Sequence, residues 1–143
     1  MSFRIAVTTT QSPQSVFFRV EQQAVWHFHT ASWTTAPNGE RILTMNQSGT
    51  SGILRFVNNN GERFAVIVGI DNRQRWCDII PNDTPTQTGQ SVLSLYYNGG
   101  RNANIRESRF SQRIAYLRGR RRISIHFTVL QGNNLRATIT VGQ

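Results

Sequence analysis

Two stretches in the last quarter of the chain alternate without a break. Ile123, Ile125, Phe127 and Val129 are separated by Ser124, His126 and Thr128, and Leu135, Ala137, Ile139 and Val141 by Arg136, Thr138 and Thr140. Side chains of a β-strand point to opposite faces with a period of two, so each stretch reads as a strand with one buried and one wet face. A helix would scatter the same apolar residues around its circumference. The period recurs at Phe3, Ile5 and Val7, and β-branched or aromatic residues are dense at 16–20, 24–29, 41–45, 53–58, 64–70, 76–80 and 91–97. Asn38-Gly39 and Asn60-Gly61, both within an Asn-Gly-Glu-Arg string, have the chemistry of two-residue type I′ turns, which need φ > 0 at both centres. Only 103–116 lacks alternation, and Ile105, Phe110 and Ile114 suggest the apolar side of a short helical insert. The pattern predicts a mostly β fold, a two-sheet antiparallel β-sandwich, with residues 1–143 as one domain.

Charge is the second constraint. All sixteen basic residues are arginine, against seven acids, for a formal net charge of +9. Half of the arginines fall at Arg101, Arg106, Arg109, Arg113, Arg118, Arg120, Arg121 and Arg122, with Glu107 as the one acid among them. That segment is expected to form an electropositive face suited to phosphate, carboxylate or paired hydroxyl acceptors. Nucleic acid, an anionic membrane surface or an acidic glycan would each fit such a face. Single-stranded nucleic acid also needs stacking aromatics, and the segment offers only Phe110 and Tyr116, both expected at core positions, which argues against that partner. The first ten residues lack the basic and apolar regions of a secretory leader, and no run is apolar enough to span a membrane. The lone Cys77 cannot form an intramolecular disulfide, so a reducing, cytoplasmic setting is expected.

Catalytic signatures are missing. The chain has no nucleophile elbow, no zinc-protease helix motif and no phosphate-binding loop. His27 and His29 share a strand face but have no third ligand close in sequence, and Cys77 between Trp76 and Asp78 reads as a core residue. Neither an enzyme nor a cofactor or metal protein is indicated. The loops are another matter. Asn46-Gln47-Ser48-Gly49-Thr50-Ser51-Gly52, Asp71-Asn72-Arg73-Gln74-Arg75 and Asn98-Gly99-Gly100-Arg101-Asn102 are rich in directed donors and acceptors. Sugar hydroxyls, each able to donate and accept, are recognised by such groups where glycine lets the backbone approach.

Several of these residues carry a family resemblance. Leu43-Thr44-Met45, Ser48-Gly49-Thr50-Ser51-Gly52, Leu54-Arg55-Phe56, Asn72, Arg75-Trp76-Cys77-Asp78-Ile79, Tyr96-Tyr97, Arg106-Glu107 and Gly132-Asn133-Asn134-Leu135 resemble, in order and spacing, the fungal fruit-body lectins of mushrooms. The resemblance implies an actinoporin-like β-sandwich with a helix-loop-helix near 100–116, assembled as a homo-oligomer, typically a tetramer, and a defensive glycan-binding role. It also implies two sugar sites. The first takes the galactose to N-acetylgalactosamine disaccharide of O-glycans (the T-antigen) and maps onto Ser48, Gly49, Asn72 and the backbone near His29, with Asp71 and Arg73 standing where the family has a histidine and a stacking tyrosine. The second takes N-acetylglucosamine and maps onto Asp78, Ile79, Pro81, Arg101 and Arg113. There Pro81 replaces a threonine and Arg113 a sugar-facing tyrosine, so this site is expected to be weak, with Asp78 and Arg101 free to pair with each other. The alternative is a basic module on the same scaffold for anionic polymers or membrane surfaces.

Overall fold

The computed structural model describes residues 2–12, 16–26 and 31–142. Ten strands and two helices follow one another as β1 (Phe3–Gln11), β2 (Arg19–Val25), β3 (Ala31–Thr35), β4 (Arg41–Met45), β5 (Ser51–Val57), β6 (Arg63–Asp71), β7 (Gln74–Pro81), α1 (Gly89–Ser94), α2 (Ala103–Ser108), β8 (Gln112–Tyr116), β9 (Arg122–Val129) and β10 (Asn134–Val141). They form a six-stranded sheet in the order β3-β4-β1-β10-β9-β8 and a four-stranded sheet in the order β2-β5-β6-β7. The molecule is thus the β-sandwich that the alternation predicts. One pairing departs from the antiparallel expectation, since β1 and β10 run parallel from Arg4 opposite Asn134 to Gln11 opposite Val141.

The two sheets differ because their environments do. The larger sheet buries one face, so Ile5, Leu43, Ile123, Ile125 and Ile139 meet Leu54, Phe64, Val66, Val68 and Ile70 of the smaller sheet in a single core. The smaller sheet is covered on both faces. Its outer side packs Ile53, Ala65, Ile67 and Trp76 against Val92, Leu93, Tyr96 and Tyr97, and β5 and β6 accordingly read as near-continuous apolar runs.

Three local expectations are corrected. The 91–97 stretch, dense in strand formers, is not a strand: Val92, Leu93, Tyr96 and Tyr97 sit at helical spacing, and Thr88 caps α1 by accepting the Ser91 N–H at 3.1 Å. The helical reading of 103–116 holds only for its first half. Arg109 turns left-handed (φ 51°) to end α2, and Gln112–Tyr116 pairs with β9 as an edge strand whose Ile114 is 52% exposed. Finally, neither Asn-Gly pair forms a type I′ turn. Only Gly39 and Gly61 have positive φ. In each loop the glycine N–H returns to the carbonyl three residues earlier, Ala36 or Asn58, which marks a type I turn closed by a left-handed glycine. The two early strands read at 16–20 and 24–29 are joined, as far as Val25, in the single strand β2 that begins at Arg19. β3 was not anticipated, and 27–29 fall outside the described residues.

Candidate functional site

The two-residue turn with both centres left-handed is Asn72–Arg73, at φ 49° and 66°, joining β6 to β7 across the Asp71 and Gln74 pair. Neither residue is glycine. Asparagine tolerates this region better than most residues, whereas arginine there is strained and needs support. Ser48 supplies it: its Oγ accepts the Arg73 backbone N–H at 2.9 Å. The neighbouring Gly49, itself at φ 95°, donates its N–H to the Ile70 carbonyl at 2.9 Å, and Ile70 donates to Thr50 at 3.0 Å. These bonds lock the β4–β5 loop against the β6–β7 turn. Ser48, Gly49, Asn72 and Arg73 therefore share one rim at the end of the smaller sheet.

Behind the rim stands a rigid wall. Asp71, at the base of the turn, is held by Arg106 Nη1 at 2.5 Å and Arg109 Nη2 at 3.2 Å, both from the α2 region. Its carboxylate is a strut tying the turn to α2, with both oxygens engaged. Arg106 also donates to the Tyr96 carbonyl at 2.7 Å and lies over the Tyr97 ring, 5.0 Å from its centroid. Tyr97 in turn stacks on Trp26, 4.5 Å between centroids and 4° between planes, and shares a 2.7 Å hydrogen bond with Ser51. Trp26, Tyr97 and Arg106 were not assigned to this place by sequence reasoning. The Arg106 and Asp71 partners lie 35 positions apart in the chain, a distance at which no local pattern speaks. His29, the remaining residue mapped to this rim, lies outside the described residues, as does His27.

The residues mapped to the second site do not converge in the same way. Asp78 is 4% exposed on the helix side of β7, where the Tyr96 hydroxyl donates to Oδ2 at 2.5 Å and Arg113 Nε approaches Oδ1 at 3.3 Å. Burial first, then the Asp78 charge, pushes the Tyr96 phenol far above its ordinary range, so it remains a donor. Ile79 points the other way, into the core between the sheets. Pro81 is exposed at the end of β7. Arg101 lines a separate cavity of about 170 Å³ with Ile80, Asn82 and Asp83. The expected Asp78 to Arg101 pair is therefore replaced by Asp78 with Arg113, because β8 packs beside β7 and brings Arg113 to the carboxylate.

Cys77 is buried, and burial, with a smaller contribution from Asp78, pushes its thiol up to about 12. It donates to the Phe110 carbonyl at 3.5 Å and is protonated at neutral pH, which makes it a poor nucleophile. Among the described residues no group of three histidine, cysteine or carboxylate side chains is placed to hold a metal. Among the described residues no helix is long and apolar enough to cross a membrane.

The arginine-rich segment is not one free face, and its two aromatics, expected in the core, are instead exposed, Phe110 by 37% and Tyr116 by 60%. Arg106, Arg109, Arg113 and Arg121 bind Asp71, Asp71, Asp78 and Glu62, while Arg101, Arg118, Arg120 and Arg122 stay exposed without an ion pair among the described residues. Across the chain all seven carboxylates are taken by arginine. Half of the segment's guanidinium groups are internal ties.

Comparison with known proteins agrees with this architecture. The sequence model of the family described as fungal fruit body lectin matches residues 1–139. The lectin of Boletus edulis is 34% identical over 140 residues, covering 97% of this chain and 98% of that protein. The crystal structure of wild-type Xerocomus chrysenteron lectin superposes with a TM-score of 0.94 at 34% identity, over 99% of this chain and all of that one. A substituted form of the same lectin gives 0.94 at 35% identity. With its two sheets, its helix pair and nearly its whole length accounted for, the chain belongs to the fungal fruit body lectin family of carbohydrate-binding proteins.

Proposed function

We propose that this lectin binds, without catalysis, a galactose or N-acetylgalactosamine-type sugar of O-glycans at the rim formed by Ser48, Gly49 and Asn72. The observation that carries the reading is the 2.9 Å bond from the Arg73 N–H to Ser48 Oγ. It fixes the Ser48 hydroxyl against the Asn72–Arg73 turn, with Gly49 tied to Ile70 beside it, and a preorganised set of polar groups is what binding one sugar epimer over another requires. Arg73 adds a cation to the same rim. Exposed Ile114 and Tyr116 on the edge strand β8 support a homo-oligomer, which would give each assembly several such rims.

Asn72→Gly tests the rim cleanly, because glycine keeps the left-handed turn while the amide is lost. Sugar affinity is expected to fall by about 1–2 kcal/mol, roughly tenfold, with stability unchanged. Calorimetric titration with the galactosyl-N-acetylgalactosamine disaccharide decides it, and an unaltered affinity would remove Asn72 from the site.

The second sugar site is expected to be silent towards N-acetylglucosamine. Both Asp78 oxygens are engaged, and Ile79 and Arg101 face different regions. An acetamido group entering there would leave buried polar atoms unpaired. Titration with N-acetylglucosamine should give no heat at concentrations that saturate the first site; comparable affinity, with shifts at Asp78 and Arg113, would overturn this.

A further inference from the structure

Sixteen arginines face seven carboxylates, and seven of the arginines take all of the acids. The others keep their charge free, and what matters is where they gather. Arg101, Arg118 and Arg4 each line a cavity that also holds a carboxylate: Asp83 beside Arg101, Glu62 and Asp83 beside Arg118, Glu40 beside Arg4. Arg73 and Arg75 are different. They line one cavity of about 340 Å³ with Leu130, Gln131 and Gly132, and no acid borders it.

This cavity has the charge and the lining that suit an anion. Among the described residues Arg75 Nε is buried with no acceptor, and Nη1 donates to the Arg109 carbonyl at 3.3 Å. Arg75 has no ion pair among the described residues, so its charge is left for an acceptor that enters the cavity it lines. Asp71, the acid at the base of the same turn, is already neutralised by Arg106 and Arg109 and does not compete. Gln74 and Gln131 add neutral polar groups to the walls, and Leu130, 46% exposed, adds an apolar surface for carbon-bound hydrogen. The position of the cavity matters most. Arg73 gives its backbone N–H to Ser48 on the sugar rim and also lines the cavity, so the two places meet at a single residue.

We infer that the cavity between the Asn72–Arg73 turn and the turn at Leu130, Gln131 and Gly132 is a subsite for an acidic substituent, a carboxylate or a sulfate ester, carried by the glycan whose neutral sugar rests on Ser48, Gly49 and Asn72. The inference builds on the proposed function and names its ligand class more narrowly. Two guanidinium forks can grip such a group through paired oxygen atoms, which an uncharged hydroxyl cannot match.

Calorimetric titration of the full chain with three ligands tests this: the neutral galactosyl-N-acetylgalactosamine disaccharide, its sialylated form and its sulfated form. At least one acidic form is expected to bind about tenfold more tightly than the neutral parent. The form that gains identifies the source of the anion. Arg75→Gln should abolish the gain and leave the neutral affinity as it was. Gln131→Glu, a change on an exposed turn with little folding demand, should do the same by placing a rival carboxylate in the cavity. Equal or weaker binding of both acidic forms, with the neutral disaccharide still bound, overturns the subsite and leaves the neutral rim standing. A gain that survives both substitutions also overturns it. If the neutral disaccharide fails to bind while an acidic form binds through Arg75, the neutral rim is what fails, and the anion site is upheld. Binding of none of the three removes both.

Discussion

Replacing Arg55 by methionine is expected to lower folding stability by about 3–5 kcal/mol, the range found when one partner of a buried ion pair is removed. Arg55 is 6% exposed on the helix side of β5 and every one of its donors is used. Nε binds Asp83 at 2.8 Å, Nη1 binds Gln22 at 2.7 Å and the Gln87 carbonyl at 2.6 Å, and Nη2 binds the Thr84 carbonyl at 2.6 Å and Asp83 again at 3.3 Å. One guanidinium therefore organises the whole passage from β7 to α1. Methionine fills much of the same volume but leaves Asp83 charged, buried and unpaired. Lysine would restore charge without the fork and should recover only part of the loss. Chemical denaturation of Arg55→Met, Asp83→Asn and the double variant is the measurement. The double variant should be more stable than the sum of the singles implies, and strict additivity would show that the two residues are not coupled.

This clamp also illustrates which parts of the molecule were legible in advance. β1, β9 and β10 could be read directly, because a sheet with one wet face writes its burial into every second residue. α1 was hidden, since Val92, Leu93, Tyr96 and Tyr97 are strand formers by composition and only their spacing, together with Thr88, betrays a helix. β3 is a short edge whose one large apolar residue, Trp33, gives no period. The Asn72–Arg73 turn carries no glycine to flag it, although the apolar runs on either side leave room for only a tight connection. At the rim, Ser48, Gly49 and Asn72 were identified through family resemblance, whereas the bond from the Arg73 N–H to Ser48 that draws their two loops together spans 25 positions and belongs to the folded state alone. Asp71 was placed facing sugar because it stands where the family has a histidine; its partners in the fold are Arg106 and Arg109 of the α2 region, more than thirty residues away. Ion-pair choice in a chain with this many arginines is a property of topology, which no local window contains.

Gly69→Ala is expected to be nearly as damaging, at about 3 kcal/mol, for a steric reason. Gly69 sits in the middle of the smaller sheet, opposite Ser51 on β5 and Trp76 on β7. A Cβ there would lie 2.6 Å from the Ser51 Cβ, 2.7 Å from Trp76 Nε1 and 2.8 Å from the Thr50 carbonyl oxygen. Two of these neighbours are backbone or the root of a side chain, and Trp76 is fully buried, so none can swing aside. Relief has to come from pushing β5 away from β6. That shifts Thr50, whose carbonyl holds Ile70, and with it Ser48 and Gly49. Thermal unfolding and disaccharide titration of the same variant should therefore both respond. Wild-type stability would mean that the strands are not as close as described, and lost stability with intact sugar affinity would show the rim to be independent of this packing.

The strand order of the larger sheet has a consequence for how the protein comes into being. β10 lies between β1 and β9, yet it is the last of the ten strands along the chain. Until it is made, the sheet exists as two fragments, β3-β4-β1 on one side and β9-β8 on the other, each with an unpaired edge. The inner edge of β1 waits through the synthesis of more than a hundred residues for a parallel partner, a pairing that no hairpin can deliver. During synthesis the chain thus cannot complete this layer piece by piece; closure is a single late event at long sequence separation, of the slow kind. The waiting edges are templates for foreign strands, so the interval before closure is when the chain is most open to misassociation.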